Sequence, residues 1–590
     1  MHFNIKFPFT ILIFLVAINL SVYSQKQYPT DYFQPPMDIR LLLSGTFGEL
    51  RSNHFHSGID IKTNGASGQL VYAIADGYVS RIKVSAYGFG KAIYITHPNG
   101  YVSVYAHLSR YNKTIDDYVK KAQYSRETFE IELFPVAGEL PIKKRDIVAY
   151  SGNTGSSAGP HLHFEIRDEA SQKPINPLLF GYEVKDFFTP RITSVKIYPE
   201  DANSRVNGAE KAIRYLVEGW GEEHRLAKRP TISLSGNVSF AIQVYDQQND
   251  TDNKNGPYSI ALYIDDELVY QYDMETFSFD ETRYANSLLD YSEYVRNSAR
   301  LQRTKIDPGN KLSIYTKVEN MGVFHFNDDQ EHSIKYEVKD VMGNAALLAF
   351  NVKSEKAATN KMPIPFQRSA SKTSSQEPKF PLSNFNYSTP NRYSQASIIV
   401  DAPAGAFYDS FIFTYDTVRR ISGSFSPVHK IHDKYTPIHK SISLSIRPVG
   451  LPVELNDKAL IVKMKDDGKN FSSAGGKYER GYVVTRISEF GDYTIAVDTI
   501  SPKITPVNPG VFTKMAGQKQ IRLTITDKLT GIAGYRGHLN GKWILMEYDA
   551  KNGLLVYTID ETLVPGQNTL LVEVVDAKNN KSFFVATLIL

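Results

Sequence analysis

Gly159-Pro-His161-Leu-His163-Phe-Glu165-Ile166 alternates polar and apolar side chains from His161 onward. Period two is the signature of a strand with one buried face. It puts His161, His163 and Glu165 on one face and Leu162, Phe164 and Ile166 on the other, against a core. Gly159-Pro160 introduces this strand, after the loop Ser151-Gly-Asn-Thr-Gly-Ser-Ser-Ala158. That loop lacks the Gly-Lys-Ser/Thr of a phosphate loop and reads as a wall of a cleft.

A second pattern lies about a hundred residues upstream, at His56-Ser-Gly-Ile-Asp60. Gly58 disfavours a helix interior. In an extended segment positions 56, 58 and 60 point the same way, so a histidine and a carboxylate share a face. Ile59 and Ile61 face the other way. A third histidine, His107, follows the strand-like run Tyr101-Val-Ser-Val-Tyr105. Six of the 14 histidines fall between residues 54 and 163. Of these, His54 and His97 read as loop residues that are neither ligand nor base, and Glu165 as a supporting or solvated group.

Cysteine is absent, which excludes disulfides, thiolate zinc sites, iron–sulfur clusters and a cysteine nucleophile. Metal chemistry must then use His, Asp and Glu. Three protein ligands with one open position make a catalytic zinc site. His56, Asp60 and His163 supply two neutral imidazoles and one carboxylate, leaving a bound Zn2+ net positive. No His-Glu-x-x-His helix is present, so a histidine is the expected base. His161 sits two residues from His163, roughly 7 Å along a strand, within reach of a water at the metal. His107 is placed to hold the developing oxyanion or to share the proton work.

The rest of the 590 residues extends the β reading. Ala92-Ile-Tyr-Ile-Thr96, Ile442-Ser-Leu-Ser-Ile446 and Gln520-Ile-Arg-Leu-Thr-Ile-Thr526 all alternate, and turn residues separate them. Residues 1–24 carry Lys6 and an apolar core from Phe7 to Leu20, the pattern of a signal peptide. No later segment reaches the length of a membrane span. The expected units are 25–185, a β-sandwich over 190–355 with a short helix in 270–300, a linker over 356–395, a β-rich unit over 396–500 and a last one over 501–590. No fixed-period repeat is evident. His429, His432, Asp433 and His439 read as a solvated surface. Sixty-seven basic against 63 acidic residues leave a charge of +4, which argues against a nucleic-acid partner.

The first unit resembles the lysostaphin-type (LytM-like) zinc metallopeptidases of bacterial cell walls. The likeness rests on His56-Ser-Gly-Ile-Asp60-Ile, Val71-Tyr-Ala-Ile-Ala-Asp-Gly77-Tyr-Val, Tyr87-Gly-Phe-Gly90, Ile95-Thr-His97, Tyr105-Ala-His107-Leu-Ser, Ser151-Gly-Asn-Thr-Gly155 and Gly159-Pro-His161-Leu-His163-Phe-Glu165. It covers about residues 40–180. By that pattern His56, Asp60 and His163 match the zinc ligands, and His107 and His161 match the catalytic histidines. The implied fold class is mainly β, an antiparallel β-sheet metallopeptidase domain followed by two or three β-sandwich (Ig-like) modules. The implied activity is zinc-dependent endopeptidase cleavage of peptidoglycan stems or cross-links, in the periplasm, at the cell envelope or outside the cell. An envelope protein is a further expected partner, through the C-terminal modules. Two rivals are an inactive regulator of another wall hydrolase and an adhesin or scaffold with an ancillary hydrolase domain. One departure from the family pattern is the stretch from Tyr111 to Lys144, an insert expected to border the groove.

Overall fold

The computed structural model describes residues 28–356, 379–507 and 515–590. The expected signal segment, 1–24, lies outside them. The molecule is mainly β, and among the described residues no helix is long and apolar enough to cross a membrane.

The first unit is built on one large antiparallel sheet. Its strands run in the order Leu43–Gly45, Ile59–Lys62, His161–Asp168, Tyr101–Leu108, Lys91–Thr96, Gly77–Val84 and Ile131–Leu133. The alternation read from the sequence is the one seen. Ile59, Ile61, Leu162, Phe164 and Ile166 enter one hydrophobic core on one side of the sheet. Burying side chains of this size stabilises by about 1.5–3 kcal/mol each. A smaller sheet of Leu70–Tyr72, Ile147–Tyr150 and Arg110–Tyr111 delivers the chain to the loop after Tyr150.

The insert has structure of its own. It forms the helix Lys113–Arg126, N-capped by Asn112, and the strand Ile131–Leu133. That strand is the sheet edge, four strands away from His161–Asp168. Glu130 instead caps the Ser85–Gly90 turn through the Ala86 amide at 2.7 Å. The helix receives the last unit: Tyr124 donates to Asp560 at 2.7 Å and its ring meets Trp543 edge-on.

Residues 191–354 form two β layers hydrogen-bonded into one twelve-stranded network. The thirteen-residue strand Ser233–Tyr245 pairs with both layers, including a parallel pairing to Ala345–Ser354. Short helices fall at Ala285–Leu288 and Tyr291–Asn297, within the stretch expected to hold one. Beyond it, two five-stranded sheets enclose a third core, and two four-stranded sheets a fourth. The stretch 356–395 is not all linker. Strands Ser383–Phe385 and Asn391–Gln395 lie within it, and Phe385 and Tyr393 are buried in the third core.

Candidate metal centre

Sheet register builds the site. His163 lies directly across from Asp60 on one neighbouring strand and from Ala106 on the other. Cross-strand partners share a face, so Asp60 and His163 meet without any loop rearrangement. Gly58 lets the preceding segment close in: a Cβ there would stand 2.3 Å from the Phe164 carbonyl oxygen and 2.8 Å from Glu165 Cγ. His107 should face away from His163 by simple alternation. Its left-handed backbone (φ 57°) and the register shift beside it form a bulge that re-aims the ring. The His107 and His161 ring centroids are consequently 4.8 Å apart.

Three ligand-type atoms converge. His56 Nε2 is 3.0 Å from Asp60 Oδ1 and 3.0 Å from His163 Nδ1, and His163 Nδ1 is 2.9 Å from Asp60 Oδ1. All three side chains are buried. The opposite nitrogen of each imidazole has a fixed partner. His56 Nδ1 donates to the Thr46 carbonyl at 2.8 Å, and His163 Nε2 donates to Glu165 Oε1 at 2.9 Å. In the neutral rings this leaves two bare imidazole lone pairs facing each other and a carboxylate oxygen. Such an arrangement demands a positive charge at its centre, and outer hydrogen bonds that orient ligand histidines are the habit of metal sites. The donor set of two nitrogens and one oxygen fits Zn2+ with a fourth position free.

The electrostatics agree. Burial pushes the His163 imidazole down, but Asp60 and Glu165 outweigh it and hold it at about 9. Burial opposes ionisation of Asp60, yet the three histidines around it hold its carboxyl well below the usual carboxylate range. Burial lowers the His56 imidazole, and Asp60 only partly offsets it. Glu165 is not solvated: it is fully buried, and although burial opposes its charge, Arg167, His163 and Ser57 bring it to about 2.

The other two histidines stand beside the three. His161 Nε2 is 3.4 Å from Asp60 Oδ1, and its Nδ1 donates to the Gly159 carbonyl at 2.8 Å. His107 Nδ1 donates to the Thr154 carbonyl at 2.9 Å, and burial, then His163 and His161, push its pKa down to about 3. Both rings therefore hold Nδ1–H on the 151–159 loop and leave Nε2 as a lone pair. The loop is itself pinned: the Ser156 amide donates to the Gly88 carbonyl at 2.9 Å, and Gly155 adopts φ +70° against the Gly88–Gly90 backbone.

Sequence reasoning missed several supports. Arg51 Nη2 donates to Asp60 Oδ2 at 2.7 Å, and Arg167 Nε to Glu165 Oε2 at 2.6 Å. Arg167 continues the 161-163-165 face, so its place was readable from period two. Arg51 and the Thr46 and Thr154 carbonyls carry no such signal. His54 is exposed, and His97 is held by the Asp76 carbonyl and Ser103, outside the cluster. His429 is fully buried rather than solvated, with Nδ1 on the Tyr415 hydroxyl.

Comparisons with known proteins match parts of the chain. Residues 54–124 match Peptidase family M23, and residues 383–498 match a Zu5-like domain. The chain is 30% identical over 129 residues to the DD-carboxypeptidase/endopeptidase Mpg of Neisseria meningitidis serogroup B, 22% of this chain and 23% of that protein. It is 33% identical over 111 residues to lysostaphin of Staphylococcus simulans, 19% of this chain and 17% of that one. It is 36% identical over 135 residues to the murein hydrolase activator NlpD of Escherichia coli K12, 23% of this chain and 28% of that one. The solved catalytic domain of S. simulans lysostaphin aligns at 25% identity over 24% of this chain and 91% of its own, with a TM-score of 0.18. The chain thus spans between about a sixth and under a third of the length of these curated relatives.

Proposed function

Because the first unit is a Peptidase family M23 domain with lysostaphin-like relatives, we propose that this protein is an exported zinc endopeptidase that hydrolyses peptide stems or cross-links of peptidoglycan. The observation that carries the reading is the convergence of His56 Nε2, Asp60 Oδ1 and His163 Nδ1, with the far nitrogen of each imidazole already committed. In this reading those three residues are the zinc ligands. A zinc ion there supplies Lewis acidity, which amide hydrolysis at neutral pH needs.

The chain's own residues supply the proton work. His161 Nε2 takes a proton from the attacking water while the water oxygen bonds to the scissile carbonyl carbon. The same nitrogen then returns the proton to the leaving amine as the C–N bond breaks. His107 Nε2, a second lone pair with its ring 4.8 Å from that of His161, shares that proton. Glu165 and Thr46 hold the ligand rings in register, and Arg51 fixes the Asp60 carboxylate. Residues 1–24 are the proposed export signal, and the units beyond residue 190 position the enzyme on the envelope or bind a protein there.

The test is a chromatographic digest of purified peptidoglycan with the wild-type chain, His163→Ala and a chelator-treated control. Cross-linked dimers should fall to monomers only with the intact, zinc-loaded protein. A chain that binds zinc yet leaves every muropeptide intact sinks the endopeptidase reading in favour of a regulator.

A further inference from the structure

A triad of carboxylates lies where the first unit meets the second. Ligand-type oxygens of Asp186, Asp246 and Asp340 all stand within 4.8 Å of one another. Asp246 and Asp340 are buried. Among the described residues none of the three forms an ion pair. Burial, and then the neighbouring aspartates, raise the Asp246 carboxyl well above its usual range, and Asp186 is likewise raised to about 7. Bare carboxylates at such spacing repel one another strongly in a desolvated setting.

Two unpartnered oxygens, one within the triad and one beside it, point to what the triad lacks. Asp246 Oδ1 is buried and accepts no hydrogen bond; neither does Asn255 Oδ1, on a residue that is 3% exposed. Asp246 and Asn255 exchange backbone hydrogen bonds at 2.9 and 2.8 Å, so their side chains leave on the same face. Both line one cavity together with Asp186, and Leu43, Thr46, Asn176 and Leu178 of the first unit close its other side. An unpartnered buried polar oxygen is costly, and three carboxylates with one amide oxygen beside them are the donor set of a cation.

The same framework recurs in the last unit. Asp186-Phe-Phe-Thr-Pro190-Arg-Ile192 and Asp498-Thr-Ile-Ser-Pro502-Lys-Ile504 each lead into a first strand, and Asp246 and Asp527 each follow a strand that pairs with it. The pairings match, Arg191 across from Tyr245 and Lys503 across from Thr526. Asn344 donates to both Asp340 oxygens at 2.9 and 2.7 Å and to the Asp186 carbonyl at 3.2 Å. Asn580 does the same to Asp576 at 2.9 and 2.7 Å and to the Asp498 carbonyl at 3.0 Å. The recurrence has no fixed period, because the second unit carries the strands Arg205–Val206, Ile213–Trp220 and Glu223–Leu226 between its two paired strands. The two differ in satisfaction. Asp527 Oδ1 takes the amides of Leu529, Thr530 and Gly531 at 3.0, 2.8 and 2.8 Å, and Thr530 donates to Asp498. Asp246 Oδ1 accepts no such amides and is left open.

We propose that Asp186, Asp246, Asp340 and Asn255 bind one Ca2+ ion at the junction of the first and second units. Oxygen-only donors, three of them charged, select a hard cation, and an irregular cage of carboxylates and an amide suits calcium more than the strict octahedron of magnesium. The ion would lock the orientation of the second unit on the strand Leu43–Gly45, which neighbours the strand that carries Asp60. Gln248 already bridges the two, accepting from the Leu43 amide and donating to the Leu41 carbonyl, both at 2.8 Å.

The test titrates CaCl2 calorimetrically into the full zinc-loaded chain, beside thermal unfolding with and without calcium. One Ca2+ per chain and a raised melting temperature are expected. Asp246→Asn should abolish that binding and its thermal gain. It should melt at or above wild type without calcium, since one of three repelling charges is gone. Asp527→Asn should leave the stoichiometry unchanged. Asn255→Ala keeps every carboxylate and should weaken binding by on the order of tenfold, so it carries the test should Asp246→Asn not fold. No calcium uptake by the wild type, preference for Mg2+, or uptake that neither Asp246→Asn nor Asn255→Ala alters would overturn the assignment.

Discussion

Residue by residue, the site divides into atoms already committed and atoms left open. His56 and His163 spend one nitrogen each on Thr46 and Glu165, and His161 and His107 spend Nδ1 on loop carbonyls. The proposed roles predict a split. His163→Ala should lose both zinc and hydrolysis, whereas His161→Ala should keep zinc and lose roughly 10²–10⁴ in kcat. Metal content by atomic absorption, set beside digestion rates, separates the two, and equal zinc loss in both variants would refute it. A second prediction concerns His429, whose Nε2 is buried without a partner. Burial lowers it from 6.5 to about 4. The unfolded chain then binds more protons between those two values, so stability falls as pH drops from 6.5 towards 4 and levels off below. The contribution is at most roughly 3 kcal/mol. Unfolding midpoints across that window should flatten in His429→Gln.

At the scale of the element, the strand His161–Asp168 serves two purposes through its two faces. Its apolar face anchors the core, and its polar face carries His161, His163, Glu165 and Arg167. Phe164 is fully buried, and its ring lies 5.4 Å from Tyr105. Phe164→Ala should cost about 3–5 kcal/mol and weaken zinc binding with it, because a strand that shifts in register carries its histidines to the wrong face. Calorimetric melting of the zinc-loaded and chelated forms would show both losses; a variant destabilised equally in both forms would uncouple core from site. The bulge at His107 makes a related point. Alternation alone sends that ring away from the site, and only the left-handed backbone brings it back.

Across the whole molecule, the last unit is docked on the first rather than trailing from it. Leu545 is buried in the core of the first unit, and Trp543, Tyr535 and Tyr548 pack against that core. Lys91 pairs with Glu547 at 2.8 Å. Lys551 donates to the carbonyls of Asn153 and Ser157, the latter at 3.0 Å, on the loop that holds His161 and His107. Lys551→Ala should free that loop, raising amide hydrogen exchange over residues 151–159 and lowering kcat several-fold with zinc content unchanged. Unaltered exchange there would show that the loop needs no clamp from the last unit.

What the sequence alone determined follows from local periodicity and residue chemistry. Alternation in 159–166 assigned the strand, its buried face and its histidine face, and the absence of cysteine confined any metal to His, Asp and Glu. The β character of the remaining units was legible for the same reason, since period two is a property of neighbours in the chain. Tertiary structure decided what depends on residues distant in sequence. Register set Asp60 against His163, Arg51 and the Thr46 carbonyl arrived from other loops, and the insert went to the far sheet edge. Only the folded chain brings Asp186, Asp246 and Asp340 together, because each ends or precedes a different strand, and loop lengths between strands leave no periodic trace.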